Sequence, residues 1–297
     1  MRAFPSSTAT EQRVAAELPL RAGERLDVLR RTGKAFLADD CLGLAQQIAF
    51  SSLLAFFPAV ILVIGLLGLI PGAYDALVNL LDTVAPQAVL NAIDVARQSS
   101  AGAGAGSALA VAAGTAGALW AASGATGSVI KAVNRAQELV ETRAFWRVRL
   151  LAFALVLLAG LVLAMVFVLI VFGGPLGDAV ARRAGLGHAF TIIWAVARWP
   201  IAFAGILLFL GLVYYLAPAV RPPSWRWITP GSLLGSTLWL VLSGLFALYT
   251  SFSSSYDRTY GSLAGAIVLL LWLNYSAVAL LLGAELNSEL ERRAKST

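Results

Sequence analysis

The chain contains one histidine and one cysteine, and this scarcity excludes several kinds of chemistry at the outset. A hydrolytic metal centre needs several His, Asp or Cys ligands converging in space, which His188 alone cannot supply. Serine and cysteine nucleophile arrangements fail for the same want of a histidine base on the proper side. Cys41 has no second thiol to join, so an internal disulfide and a cysteine metal site are both excluded, and it is expected to pack as a small hydrophobe. No GxxxxGKS/T sequence is present, so the chain carries no phosphate-binding loop of its own. No cofactor is expected.

Charge is scarce as well. Charged residues make up 13% of the chain and hydrophobic residues 59%, against about a quarter charged in a soluble domain. Such a chain cannot cover itself with a water-facing surface. Six apolar stretches are each near the roughly 20 residues that a helix needs to cross a hydrocarbon core. They run Leu44 to Ile70, Ser107 to Thr126, Leu150 to Phe172, Arg198 to Ala217, Gly231 to Phe252 and Ser262 to Ala284. Unbroken runs of this kind are the pattern of helices, since barrel strands alternate and are shorter. The expected fold is an all-α membrane protein with six transmembrane helices in one bundle.

The net charge of +6 would suggest nucleic acid in a soluble protein, but in a membrane protein an excess of Lys and Arg records topology. Seven basic residues precede the first span: Arg2, Arg13, Arg21, Arg25, Arg30, Arg31 and Lys34. Five surround the connection between spans two and three (Lys131, Arg135, Arg143, Arg147, Arg149), two lie between spans four and five (Arg221, Arg226), and three are in the tail (Arg292, Arg293, Lys295). The other side has only Arg97, Arg182, Arg183 and Arg258, with Arg198 at the head of span four. This asymmetry predicts that both termini are cytoplasmic, and it accounts for the basic residues without nucleic acid. The first 40 residues hold no signal-peptide core, so span one is expected to serve as an uncleaved anchor.

Three regions follow. Residues 1–40 form a cytoplasmic tail and a basic amphipathic helix, in which Leu26, Leu29, Phe36 and Leu37 recur at helical spacing; that face suits either an anionic membrane surface or the underside of the bundle. Asp39 and Asp40 stand where an acidic cap would start the first membrane helix. Residues 41–285 form the membrane domain, with an outer amphipathic segment at 73–100 hinged at Pro86, and 286–297 form a cytoplasmic tail. Within span one, Pro58 should kink the helix or mark freed carbonyls. Span four is read as starting at Arg198, which places Pro200 in its first turn and lets the arginine snorkel beside Trp194 and Trp199.

Small residues mark close approach of helices. Span two carries Gly114 and Gly117 among alanines, which places it at the bundle centre, and Gly231 with Gly235 and Gly261 with Gly265 repeat the GxxxG spacing. A sparse polar set also falls at or near membrane depth: Gln46, Gln47, Ser51, Asn134, Arg135, Tyr249, Tyr256, Tyr260, Glu285 and Asn287. These residues are candidates for a solute path, against the plainer alternative of interhelical hydrogen bonds. Glu285 is either an anchor paired with Arg135 or Arg149, or a protonatable group at the cytoplasmic mouth of a path.

Several runs carry a family likeness: QQIAFSSLLAFFPAV from Gln46, NRA from Asn134, YYLAP from Tyr214, TPGSLLGSTLW from Thr229 and YGSLAGAIVLLLWLNYSAVALLLGAELNSELER from Tyr260. Together they resemble the YihY/BrkB family of bacterial inner-membrane proteins, over roughly residues 25 to 293. Asn274 departs from that pattern, which usually has an aromatic residue there. The resemblance implies six helices with both termini cytoplasmic, a place in the bacterial inner membrane, and a role in envelope physiology such as movement of a lipid or solute. It also brings an older ribonuclease label, which the missing metal ligands argue against. The expected partners are membrane lipids, with a second copy or an envelope protein also open. The alternative function is a non-transporting scaffold that binds partner proteins.

Overall fold

The computed structural model describes residues 22–67, 107–167, 169, 173–220, 228–252 and 264–296. The expectations for Tyr256, Tyr260, Gly261 and the segment 73–100 lie outside the described residues, as do the surroundings of Gly114 and of Pro58, whose backbone is helical. Among the described residues the regular structure is helical: α1 (Ala22–Ala38), α2 (Cys41–Leu67), α3 (Ser107–Ala136), α4 (Phe145–Phe167), α5 (Gly173–Ala184), α6 (His188–Leu216), α7 (Pro230–Phe252) and α8 (Ala264–Ser296). Three of them hold stretches long and apolar enough to cross a membrane, over Phe145–Val162, His188–Leu216 and Gly265–Ala294, while Cys41–Phe56 and Pro230–Phe246 are shorter apolar helices.

The six long helices alternate in direction and share one packed end. Ile130, Val133 and Ala136 at the end of α3, Ala152 and Leu155 near the start of α4, Val213 and Tyr214 at the end of α6, and Ala284 of α8 form one buried cluster. Phe36 of α1, Cys41, Ala45 and Ile48 of α2, Ala132 of α3, and Ala277 and Leu281 of α8 form a second. The starts of α2 and α4 therefore meet the ends of α3 and α6, with α3 and α8 common to both clusters. Leu, Ile, Val and Ala fill this end, as dispersion-driven helix packing requires.

The chain turns where local chemistry permits. Asp40 takes a left-handed φ of 53° between α1 and α2, a conformation that aspartate tolerates better than most residues. Its carboxylate folds over Gly43, where a Cβ would stand 2.6 Å from Oδ2. At the end of α3, Glu138 has φ 54°, its N–H donates to the Arg135 carbonyl at 2.9 Å, and Leu139 N–H donates to the Asn134 carbonyl at 2.8 Å. This is the paired closure that usually places glycine in the left-handed position. α7 opens on a reciprocal cap in which Ser232 N–H donates to Thr229 Oγ1 at 3.0 Å and Thr229 N–H donates to Ser232 Oγ at 2.9 Å, with Pro230 in the first helical position.

One expectation needs correction. α6 does not begin at Arg198: it runs from His188 with Pro200 inside it. The arginine can sit within the helix because α5 covers it. A Cβ on Gly173 would lie 3.0 Å from Arg198 Cδ, and Trp194 Nε1 donates to the Gly173 carbonyl. At the C-terminus α8 continues unbroken to Ser296, so residues 286–296 are helical. Its end is strapped to α1 by Arg293–Glu24 at 2.9 Å and Arg31–Glu289 at 3.7 Å.

α1 buries Val28, Thr32 and Phe36 and leaves Leu26, Leu29 and Leu37 exposed. One face is spent on α8 and α2, and the leucine stripe is a separate face.

Candidate functional site

Polar side chains at the packed end fall into three linked groups. The first ties the α3–α4 loop to the end of α6. Asn134 is buried; its Nδ2 donates to Glu141 Oε2 at 2.9 Å, and its Oδ1 accepts the Ala219 N–H at 2.7 Å. Arg143 meets the same carboxylate at 2.6 Å and donates to the Ala217 carbonyl at 2.7 Å. The hydrogen bonds from Arg143 hold the Glu141 carboxyl down at about 2, against the upward pull of burial. One carboxylate thus organises an asparagine, an arginine and the backbone of a helix terminus.

The second group is the close crossing of α7 and α8. Asn287 Oδ1 accepts the Gly231 N–H at 2.9 Å, and its Nδ2 donates to Thr229 Oγ1 at 3.1 Å. A Cβ on Gly231 would fall on the Gly283 carbonyl oxygen, and one on Gly235 would stand 3.0 Å from Tyr214 Oη. Tyr214 itself donates to the Leu280 carbonyl at 2.7 Å. Further along, Trp239 Nε1 donates to Ser276 Oγ at 3.0 Å and Trp272 Nε1 donates to Ser243 Oγ at 3.1 Å, so each helix gives an indole and receives one. Gly231 and Gly235 therefore lie at the tight interface, and Gly283 and Tyr214 complete it. GxxxG spacing pointed to the first two; the latter two are selected by a crossing that spacing does not encode.

The third group surrounds Glu285. Its side chain is 0% exposed, Oε1 accepts a hydrogen bond from Cys41 Sγ at 3.3 Å, and Oε2 is buried with no hydrogen-bond partner among the described residues. Neither of the arginines named for an anchoring pair reaches it. Arg135 pairs with Asp39 at 3.6 Å, and Arg149 turns to Trp120. Arg292, on the same helix, donates to Glu138 at 2.9 Å and to Ser288 Oγ at 3.0 Å. A carboxyl buried this fully without a charge partner is costly unless it carries a proton or meets a cation, so it is a candidate for proton or cation exchange.

The remaining sequence candidates are spread out. Gln46 and Gln47 are exposed, Ser51 Oγ lies 3.4 Å from Ser128 Oγ across α2 and α3, Arg135 is exposed, and Tyr249 is exposed beside Phe246. Gly117 and Gly265 have open space where a Cβ would stand, so among the described residues the close packing expected there is absent. In α3 the tight burial falls lower, at Ala132, Val133 and Ala136, where methyl groups pack rather than bare backbone. Cys41 was legible only as a small buried residue, because nothing local links it to a carboxylate 244 positions away. Among the described residues no group of three or more His, Cys, Asp or Glu side chains could hold a metal ion.

Comparison with known proteins adds the family. The profile described as Virulence factor BrkB matches residues 32–297. The ribonuclease-like protein YfkH of Bacillus subtilis (strain 168) is 28% identical over 251 residues, covering 84% of this chain and 90% of that protein. A UPF0761 membrane protein of Laribacter hongkongensis is 33% identical over 115 residues, 35% of this chain and 27% of its own length. One from Xanthomonas campestris pv. campestris (strain B100) is 32% identical over 148 residues, 49% of this chain and 31% of its own length. The chain thus spans about a third or less of these two UPF0761 relatives. No solved structure matches.

Proposed function

The chain belongs to the Virulence factor BrkB family, and on that premise we propose that it is a six-span protein of the bacterial inner membrane that moves a lipid or other solute across it. Relatives named as membrane proteins and the apolar helices support the membrane assignment. Six spans with both termini cytoplasmic are supported by the alternation of the long helices and by the arginines gathered at their shared end, including Arg31, Arg135, Arg143, Arg292 and Arg293.

The observation that carries the transport reading is Glu285. A carboxyl that is fully buried, bonded to a thiol on one oxygen and, among the described residues, unpartnered on the other, contributes little as an anchor and is suited to exchanging a proton or cation as helices separate. In this proposal the packed end is the closed cytoplasmic gate, filled by Ile130, Leu155, Val213 and Leu281. Asn134, Glu285 and Asn287 lie on the loop side of that plug, while Gln46, Gln47, Arg135 and Tyr249 are exposed and Ser51 faces Ser128, so these five are not placed on the path. No enzymatic reaction is proposed, since one histidine and one cysteine leave too few groups for hydrolytic chemistry.

The test is reconstitution of the purified protein into liposomes that carry a fluorescent phospholipid in both leaflets, followed by bleaching from outside. Bleaching that proceeds to the inner-leaflet lipid only in liposomes containing the protein supports lipid movement. Failure to move lipid, and failure to move ions or small osmolytes in parallel flux assays, would contradict the transport reading.

A further inference from the structure

Arg149 differs from most of the arginines at its end of the bundle. Arg31, Arg135, Arg143, Arg292 and Arg293 each close on a carboxylate. Arg149, near the start of α4, meets none among the described residues. Its guanidinium lies over the Trp120 ring, 3.9 Å from the centroid, and Nη2 donates to the Trp120 carbonyl at 3.1 Å. The Phe153 ring stands 6.0 Å away, and Nε is buried without a hydrogen-bond partner. The cation is thus oriented by a stacked indole and one carbonyl, with its charge unmatched among the described residues.

Its surroundings are apolar and open. Trp120 is 54% exposed and Leu150 is 72% exposed, and Leu157 and Leu161 continue the exposed side of α4. One turn to either side of Trp120, Gly117 and Gly124 leave space where a Cβ would stand. Exposed leucines on a helix long and apolar enough to span a membrane face acyl chains. An arginine that faces lipid near a helix end takes its counter-charge from the headgroup layer, and the planar guanidinium fork suits phosphate oxygens. Exposed Phe145 and Trp146, just before it, are side chains typical of the interface.

We propose that Arg149 and Trp120, with the open face at Gly117 and Gly124, form a binding site for an anionic phospholipid. The headgroup phosphate takes the free edge of the guanidinium, and the acyl chains lie along Leu150, Leu157 and Leu161. The site binds lipid whether or not the chain transports it.

Phosphatidylglycerol titrated into the full-length protein in a neutral maltoside detergent, read by native mass spectrometry, tests this. Arg149→Gln should weaken binding about five-fold, because it removes a charge-assisted phosphate contact. Trp120→Leu should weaken it about two-fold through loss of the stacked ring. Arg147→Gln, a neighbouring exposed charge, should leave it unchanged. Millimolar glycerol phosphate should not displace the lipid. Equal affinity of wild type and Arg149→Gln overturns the site, and displacement by glycerol phosphate overturns its assignment to lipid. Should Arg149→Gln fail to fold, Trp120→Leu decides alone, and unchanged affinity there overturns the proposal.

Discussion

Gly231 and Gly283 meet backbone to backbone: a Cβ added to Gly231 would fall on the Gly283 carbonyl oxygen, and one added to Gly283 would strike the Gly231 oxygen and Tyr214. The α7–α8 crossing is therefore set by two residues without side chains, held by Asn287 on one side and Tyr214 on the other. Gly231→Ala should cost about 1–3 kcal/mol as an overpacked contact. Gly117→Leu, where the space is open, should change stability by no more than about 0.5 kcal/mol. Thermal unfolding in detergent checks both, and a large loss for Gly117→Leu would place that glycine at a tight interface after all.

Much of this crossing was visible in the sequence and some of it was not. The GxxxG spacing of Gly231 and Gly235 marked one face, and the Thr229–Ser232 cap is written in four consecutive residues. Gly283 could not be read as their counterpart, because the point where two helices cross depends on packing across the whole bundle. Arg198 was misplaced for a related reason: starting the span there let the arginine snorkel, and the glycines of α5 that cover it belong to another element. On α1, hydrophobicity picked out Leu26, Leu29, Phe36 and Leu37, of which only Phe36 packs, together with Val28 and Thr32. Two apolar stripes on one helix look alike in sequence when one faces protein and the other does not.

Glu141 makes stability depend on acid. Its carboxyl sits at about 2 beside Arg143, below its ordinary 4.5, so its contribution is fully present above about 4.5 and is lost as pH falls toward 2. Glu141→Gln should lower the melting temperature at pH 7 and flatten the decline between pH 5 and 3. A variant with the same pH profile as wild type would show that the Asn134–Glu141–Arg143 cluster does not hold the loop to α6.

Glu138 occupies a left-handed position that favours glycine. Glu138→Gly should raise stability by up to about 1 kcal/mol by relieving that strain, less the small worth of the exposed pair with Arg292. Glu138→Val, which keeps the strain and adds β-branching, should lower it. Chemical unfolding of the two variants side by side separates backbone strain from loss of the ion pair.

Topology follows from the distribution of basic residues. Reporters fused after residue 15, within 135–142 and at the C-terminus should report cytoplasm, and one near Ser99 should report the exterior. An exterior signal from the C-terminus would require an odd number of spans.

The most direct test concerns Glu285, whose buried carboxyl meets Cys41 and, among the described residues, bonds to no arginine. Glu285→Gln keeps the size and hydrogen bonding of the side chain and removes its titration. With the variant folded as wild type by thermal unfolding, lipid or solute flux in proteoliposomes should fall at least about ten-fold, as expected when an ionisable group within a membrane bundle is essential to the path. Flux equal to wild type, with the same dependence on pH, would contradict the proposal that this carboxyl takes part in transport.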